Sequence, residues 1–590
     1  MKKIYTTIIA GLGILFWSCN DDFIERYPLD AINDENFWLT EQDLELYVNP
    51  FYQTYISGHG YVWADSKVQP YGYTVGMAYG DIITDNAAPQ SYSRVAANEY
   101  IGHIQGSSGS GGWSWSNVRK LNYFLENYKR GNAKPSAKNL YLGEILFFKA
   151  WEYFKKVKIF GDVPWLTNVV KVDSPELMGE RTPRKQVMDS IMFILDKAIA
   201  YLPAKGQQKP GRLNKDIALH LKSRIGLYEG TFRKYHSQLS SDANKFLRAS
   251  ADASEKIMSG AYAIHTGGDA QNDYYNLFAQ LSYAGNSEVI LWKEYSKSEG
   301  LGVAFSRYYA FNSRHRFGAT RSLVDEYLCV DGLPISESPL FEGKDSIQQE
   351  FLNRDPRLRQ TICNFGEYAL QSGVFGADNA PLPNIPGLSG QKCPTGYRVG
   401  KWFLNNLADW NSVTLGMQAA PMFRYAETLL NYAEAKFELG EANQDVINQT
   451  INAIRARVNM PPLKVDNISD DIELDTKYST YVGYTPNPLL REIRRERRVE
   501  LAFENFRWDD LMRWKAGGLL EVPIEGIKFV QQQFPTVVIG TDIFLSDKGY
   551  LLPYFQTLPS GRVFNDRQYF FPIPVEDLVL NPNLVQNSGW

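Results

Sequence analysis

Apolar residues recur at spacings of three and four through most of this chain, most clearly between 421 and 460. Tyr425, Leu429, Tyr432, Ala433 and Phe437 line one side of a predicted helix, which Pro421 can open because the first helical turn needs no backbone donor there. Gly440 supplies the stop, since glycine enters the left-handed conformation without penalty. A second helix carries Val446, Ile447, Ile451, Ile454 and Val458 and ends before Pro461 and Pro462. Two amphipathic helices on a short connection cannot hide both apolar stripes from water. The pattern therefore predicts one unit of a larger helical stack.

The same periodicity appears earlier. Thr40 with Asp43 three residues on is a variant of the capping box, and Leu44, Tyr47, Val48, Phe51 and Tyr55 follow it. Val118, Leu121, Phe124, Leu125 and Tyr128 predict a helix ended by Gly131, and Leu140, Ile145, Phe148, Trp151 and Phe154 predict its partner. Thr182-Pro183 starts a further unit with Val187, Ile191, Ile194, Leu195, Ala198 and Leu202. Ile217, Leu221, Ile225 and Tyr228 face it, and one more helix covers 246–258. Two stretches break the rhythm. Residues 58–112 dissolve into Gly, Tyr, Ser, Asn and Asp, and 264–418 are loop-rich with short β-like runs such as 288–292. Long loops of this kind tend to carry function.

A last charged helix is expected over 489–514. Its apolar side holds Ile493, Leu501, Trp508 and Leu511, but also Arg497 and Glu504. Charges inside an apolar stripe predict ion pairs at a packing interface, with Arg424, Glu427 or Glu434 as partners. The signs are too mixed for nucleic acid.

Composition changes the picture in three places. Aromatic content is 14%, with Trp 13, Tyr 36 and Phe 32, so many aromatics are expected at the surface, where they suit recognition. The net charge of -4 again argues against nucleic acid. Lys2 and Lys3 precede an apolar run, 4–17, too short to span a bilayer, and the run ends at Ser18-Cys19 before Asn20, Asp21 and Asp22. This start resembles a bacterial lipoprotein signal with Cys19 as the acylated residue. Removing the two lysines brings the balance to 60 − 66 = −6. Cys329, Cys363 and Cys393 are odd in number and lack C-x-x-C spacing, so free buried thiols are expected and no metal site.

Catalytic constellations are missing from the pattern. The six histidines form no metal-ligand spacing, and the glycine-rich run 106–112 lacks the lysine of a phosphate loop and the serine of a nucleophile elbow. Asp81 and Asp85 are the one pair that a glycoside hydrolase would want, but carboxylates in such a loop are more often turn formers or ligand acceptors. A neutral sugar instead needs flat apolar faces for its C–H surfaces and hydrogen-bonding groups for its hydroxyls. Two loops hold that mixture. The first offers Tyr73, Tyr79, Asp81, Tyr92, Arg94 and Asn98, with Tyr71 and Asn86 beside them. The second offers Tyr308, Tyr309, Phe311, Arg314 and His315, with Asn312 and Arg316. Tyr92 and Phe311 have the most hydrogen-bonding neighbours and are the strongest single candidates for stacking.

RYAETLLNYAEAKFELG at 424–440, INAIRARV at 451–458 and REIRRERRVELAFENFRWDDLMRW at 491–514 resemble the SusD/RagB family of Bacteroidetes nutrient-uptake lipoproteins. FGDVPW at 160–165, LVDEYLCVDGLPI at 323–335 and the tail 571–590 extend the likeness in family order. The resemblance implies a mostly α fold, with a tetratricopeptide-like helical-pair scaffold and a loop-rich ligand-binding half. It implies a signal peptide over 1–18, an N-terminal helical region over 19–262 and a C-terminal region over 263–590, intertwined as one fold. It also implies an outer-membrane, cell-surface lipoprotein that binds oligosaccharide, or in some members peptide. Such a protein hands its ligand to a SusC-like TonB-dependent transporter, without catalysis or cofactor. The family's ligand site is built from loops in the same two regions. Residues 21–38, next to the anchor, are the expected transporter contact.

Overall fold

Thr40 and Asp43 open the first helix, α1 (Glu41–Tyr55), as the capping pattern predicts. The Thr40 hydroxyl accepts from the Asp43 N–H at 3.2 Å, and the Asp43 carboxylate accepts from the Thr40 N–H at 2.7 Å. This is seen in a computed structural model that describes residues 37–59, 77–92, 106–236, 242–305, 317–363, 385–388, 393–404, 406–412 and 415–590. Five helices follow: α2 (Ser116–Asn127), α3 (Pro135–Phe160), α4 (Arg184–Tyr201), α5 (Lys215–Tyr235) and α6 (Ala243–Met258). Each packs against the next, and α1 lies on α3. The predicted stripes face inward: Val118, Leu121, Ile145, Phe148, Val187, Ile191, Leu195 and Ile217 are all buried. Each such side chain contributes roughly 1.5–3 kcal/mol.

The chain returns to this stack after the loop-rich stretch. Helix α7 (Tyr425–Glu438) lies against α5, α6 and α10 (Pro488–Glu500), with α8 (Gln444–Gln449), α9 (Ile451–Ala456) and α11 (Arg507–Arg513) around it. Gly440 ends α7 with φ +77, as expected. Three boundaries differ from the sequence reading. Pro421 does not open α7, because it sits in strand β4 (Ala420–Arg424) opposite Trp292 of β2 (Val289–Lys293). The next helix is interrupted at Thr450, whose φ −119 and ψ −87 are not helical. The charged helix over 489–514 is likewise two helices, separated at 501–506, where Phe503 and Asn505 take φ +61 and +67.

That interruption is explained by what meets it. The Phe503 N–H donates to Asp81 at 2.7 Å, and Gly80 lies so close that a Cβ there would be 2.0 Å from the Asn505 side chain. The predicted ion pairs of the charged segment are present. Arg424 binds Glu500 and Glu504 at 2.7 Å each, and Arg513 binds Glu434. Glu427 is taken instead by Arg224 and His220, both at 2.6 Å.

Aromatics are less exposed than their abundance suggests. Among the described residues most large rings are buried, and Phe193, Phe555 and Tyr201 are the exposed exceptions. Cys329 and Cys393 are buried free thiols, and Cys363 is half-buried. Among the described residues no helix is long and apolar enough to cross a membrane.

Candidate functional site

A short antiparallel pairing brings the two loops together. Strand β1 (Ala87–Pro89) belongs to the first loop and β3 (Phe317–Ala319) closes the second, with Ala87 opposite Ala319 and Pro89 opposite Phe317. The Thr320 N–H extends the seam by donating to the Asn86 carbonyl at 3.0 Å. Nothing in local spacing specifies this contact. It depends on what lies beneath.

Beneath the seam are buried charges. Asp85 receives Arg507 of α11 through two bonds at 2.8 and 2.7 Å, and Arg498 of α10 at 3.0 Å. Arg498 also donates to the Asn86 side chain at 2.8 Å. The first loop is thus fastened to the two charged helices. Burial alone would raise the Asp85 carboxyl, but Arg498 and Arg507 outweigh it and hold the group well below the usual carboxylate range. Asp81 behaves oppositely. Burial pushes its carboxyl up to about 6, only partly offset by donation from Asn86 at 3.0 Å and from the Phe503 N–H.

These placements decide several roles. Asp81 and Asp85 are both buried and engaged with the scaffold, so they do not form the pair of carboxylates across a cleft that glycoside hydrolysis requires. Tyr79 is buried as well, its ring edge-on to Phe317 at 5.8 Å. Tyr92 is only half-buried, at the edge of the seam, and its ring meets Tyr554 at 5.5 Å. Tyr71, Tyr73, Arg94, Asn98, Tyr308, Tyr309, Phe311, Asn312, Arg314, His315, Arg316 and Cys19 lie outside the described residues. Among the described residues no group of three His, Cys, Asp or Glu side chains is placed to hold a metal ion.

The structure adds residues that periodicity did not single out. Tyr554 is buried against Ala88 and donates its hydroxyl to the Pro89 carbonyl. Arg321, two residues past β3, stacks on Tyr550 with 3.7 Å between guanidinium and ring, and it donates to Tyr397 at 2.7 Å and Glu350 at 2.9 Å. Segments 393–397 and 550–554 therefore frame the same seam. The only sequence signal was the aromatic run KGYLLPYF at 548–555.

A larger cavity, about 490 Å³, lies on the helical half between Glu126 and the loop 165–176. Its loop is pinned by Asn122, which donates to the Leu166 and Asn168 carbonyls at 3.0 and 2.8 Å. Lys149 supports Asn122 from below at 2.6 Å, and burial pulls its ammonium down to about 8. Of the described candidates, none of Tyr79, Asp81 and Tyr92 lines this cavity.

Two family models match the chain, one described as "SusD family" over 287–590 and one as "Starch-binding associating with outer membrane" over 52–227. A SusD-like protein P38 of Formosa agariphila is 21% identical, over 88% of this chain and 92% of the relative. A SusD-like protein of Bacteroides ovatus is 22% identical, over 98% and 96%. Among solved structures, a SusD-like carbohydrate binding protein from Bacteroides fragilis superposes with a TM-score of 0.70 at 22% identity, covering 93% of this chain and 100% of that one. A laminarin binding SusD-like protein gives 0.55 at 18% identity, over 94% and 100%.

Proposed function

The chain belongs to the SusD family, whose members are outer-membrane-associated binding proteins rather than enzymes, and from that premise we propose that it captures oligosaccharide at the cell surface. Cys19 is its lipid anchor, and a TonB-dependent transporter of the SusC type receives the glycan. The observation that carries the reading is the β1–β3 pairing, which joins Ala87–Pro89 of the first loop to Phe317–Ala319 at the end of the second. A bound glycan would then meet Tyr92, half-buried at the edge of this pairing. The relatives named for starch and laminarin binding support a glycan over a peptide as ligand.

The test is Tyr92→Ala and Phe311→Ala, singly and together, in the purified protein screened against plant, host and microbial oligosaccharides and against peptides. Each stacking contact is worth roughly 1 kcal/mol, about fivefold in affinity. Weaker glycan retention at unchanged melting temperature supports the site. Retention of peptides alone, or a lower melting temperature with intact glycan affinity, counts against it.

A further inference from the structure

One turn beyond Tyr554 the same segment borders a second, smaller groove of about 170 Å³. Its apolar walls are the Phe544 ring and three prolines, Pro386, Pro394 and Pro553. Phe544 is held flat by Phe555, whose ring stacks on it at 4.8 Å with 14° between planes. Phe555 is itself 51% exposed, although large aromatics among the described residues are otherwise mostly buried. The Leu552 N–H donates to the Phe544 carbonyl at 2.8 Å, so the two strands of backbone that carry the ring and the polar edge are tied together.

That polar edge includes Asp542, Gln556 and Thr557. The three offer a carboxylate, a side-chain amide and a hydroxyl, which together supply both donors and acceptors. Asp542 is fixed in place, because its carboxylate accepts the Val538 N–H at 2.9 Å. Gly387, at φ +93, lets the opposite wall approach, since a Cβ there would lie 2.8 Å from the Asp542 Cβ. Among the described residues no lysine or arginine lines the groove. Asp542 is thus the one charged side chain among the described lining residues, and it repels an acidic sugar.

We propose that this groove is an additional glycan subsite, taking one neutral hexopyranose unit with its C–H face on Phe544 and its hydroxyls on Asp542, Gln556 and Thr557. This rests on the glycan-binding reading above and extends its surface. Tyr554 faces the seam while Gln556 and Thr557 face the groove, so at most about 11 Å of backbone, three Cα steps, separates the two. An oligosaccharide lying across Tyr92 continues into the groove, which favours longer neutral chains over short or acidic ones.

Saturation-transfer NMR on the purified protein with millimolar glucose, galactose, mannose and galacturonate tests this. Transfer is expected from at least one neutral hexose and not from galacturonate. It should persist in Tyr92→Ala and weaken about fivefold in Gln556→Ala and again in Thr557→Val, as loss of a neutral hydrogen bond implies. Gln556 and Thr557 are exposed, so neither change threatens folding, and an unaltered melting temperature confirms that. Transfer lost in Tyr92→Ala but kept in Gln556→Ala overturns the subsite while leaving the glycan-binding reading intact. Transfer from galacturonate equal to that from the neutral sugars, or from none of the sugars, also overturns it. The oligosaccharide and peptide screen decides the broader reading independently.

Discussion

Replacing Glu500 by glutamine removes the anion on which three buried guanidinium groups converge. Arg457 donates to both of its oxygens at 2.6 Å, Arg424 to one at 2.7 Å and Arg357 to the other at 3.1 Å. The hydrogen-bonded cluster around it balances. Arg357, Arg424, Arg455, Arg457 and Lys401 are five buried cations, facing Asp355, Glu288, Glu496, Glu500 and Glu504 as five buried carboxylates. Glutamine preserves the shape but leaves one uncompensated positive charge. Removing one partner of a buried pair costs about 3–5 kcal/mol. With an unfolding entropy of about 2.1 cal/mol/K per residue, a chain of 590 residues that melts as one unit would lose about 3 °C. Urea unfolding followed by tryptophan fluorescence near neutral pH measures the loss directly. The pH dependence gives a second check. Burial would raise the Glu500 carboxyl, but Arg457, Arg424 and Arg357 outweigh it and hold it well below the usual range. A depressed carboxylate contributes stability above its unfolded value, about 4.3, and loses it as pH falls further. The gap between wild type and Glu500→Gln should therefore narrow below about pH 4. A loss under about 1 kcal/mol near neutral pH, or a gap that widens in acid, would refute the argument.

Asp81 should show the opposite pH signature. Its carboxyl is raised to about 6, so the fold favours the protonated form, and that stability is complete below the unfolded value and lost as pH rises through 6. Asp81→Asn should flatten the stability profile between about pH 4 and 6 by up to about 3 kcal/mol, and an unchanged slope would remove Asp81 as the cause. Asp85→Asn leaves Arg507 and Arg498 without their shared carboxylate. It should cost about 3–5 kcal/mol and speed hydrogen exchange selectively at the β1 and β3 amides, whereas uniform exchange across the protein would argue against a local fastening role. Cys19→Ala should release the protein from the outer membrane, because the multiple acyl chains of a bacterial lipoprotein hold where protein contacts alone do not, and unchanged fractionation would defeat the anchor assignment.

What the sequence determined by itself is whatever is encoded within a few turns of chain. The Thr40–Asp43 cap, the left-handed stop at Gly440 and the inward stripes of α2 to α5 follow from local hydrogen bonding and from the 3.6-residue period. Charges set in the apolar stripe of 489–514 correctly announced buried ion pairs, because a buried charge without a compensating partner is costly. Tertiary structure decided the rest. Pro421 reads as a helix opener until β2, some 130 residues earlier, takes it into a two-stranded sheet, where every strand is an edge and proline is tolerated. The charged helix is continuous by propensity, yet it is interrupted where Asp81 takes the Phe503 N–H and Gly80 presses on Asn505. The proposed binding face follows the same rule. Its aromatic and polar residue types were legible in two loops, but Tyr79 and Asp81 are drawn inward, where the ring packs on Phe317 and the carboxylate accepts the Phe503 N–H, both distant in sequence. Tyr554 is joined to the first loop by its bond to Pro89, and Phe544 is held by its stack on Phe555. Those contacts join residues up to 465 positions apart in the chain, a distance over which no sequence periodicity carries information.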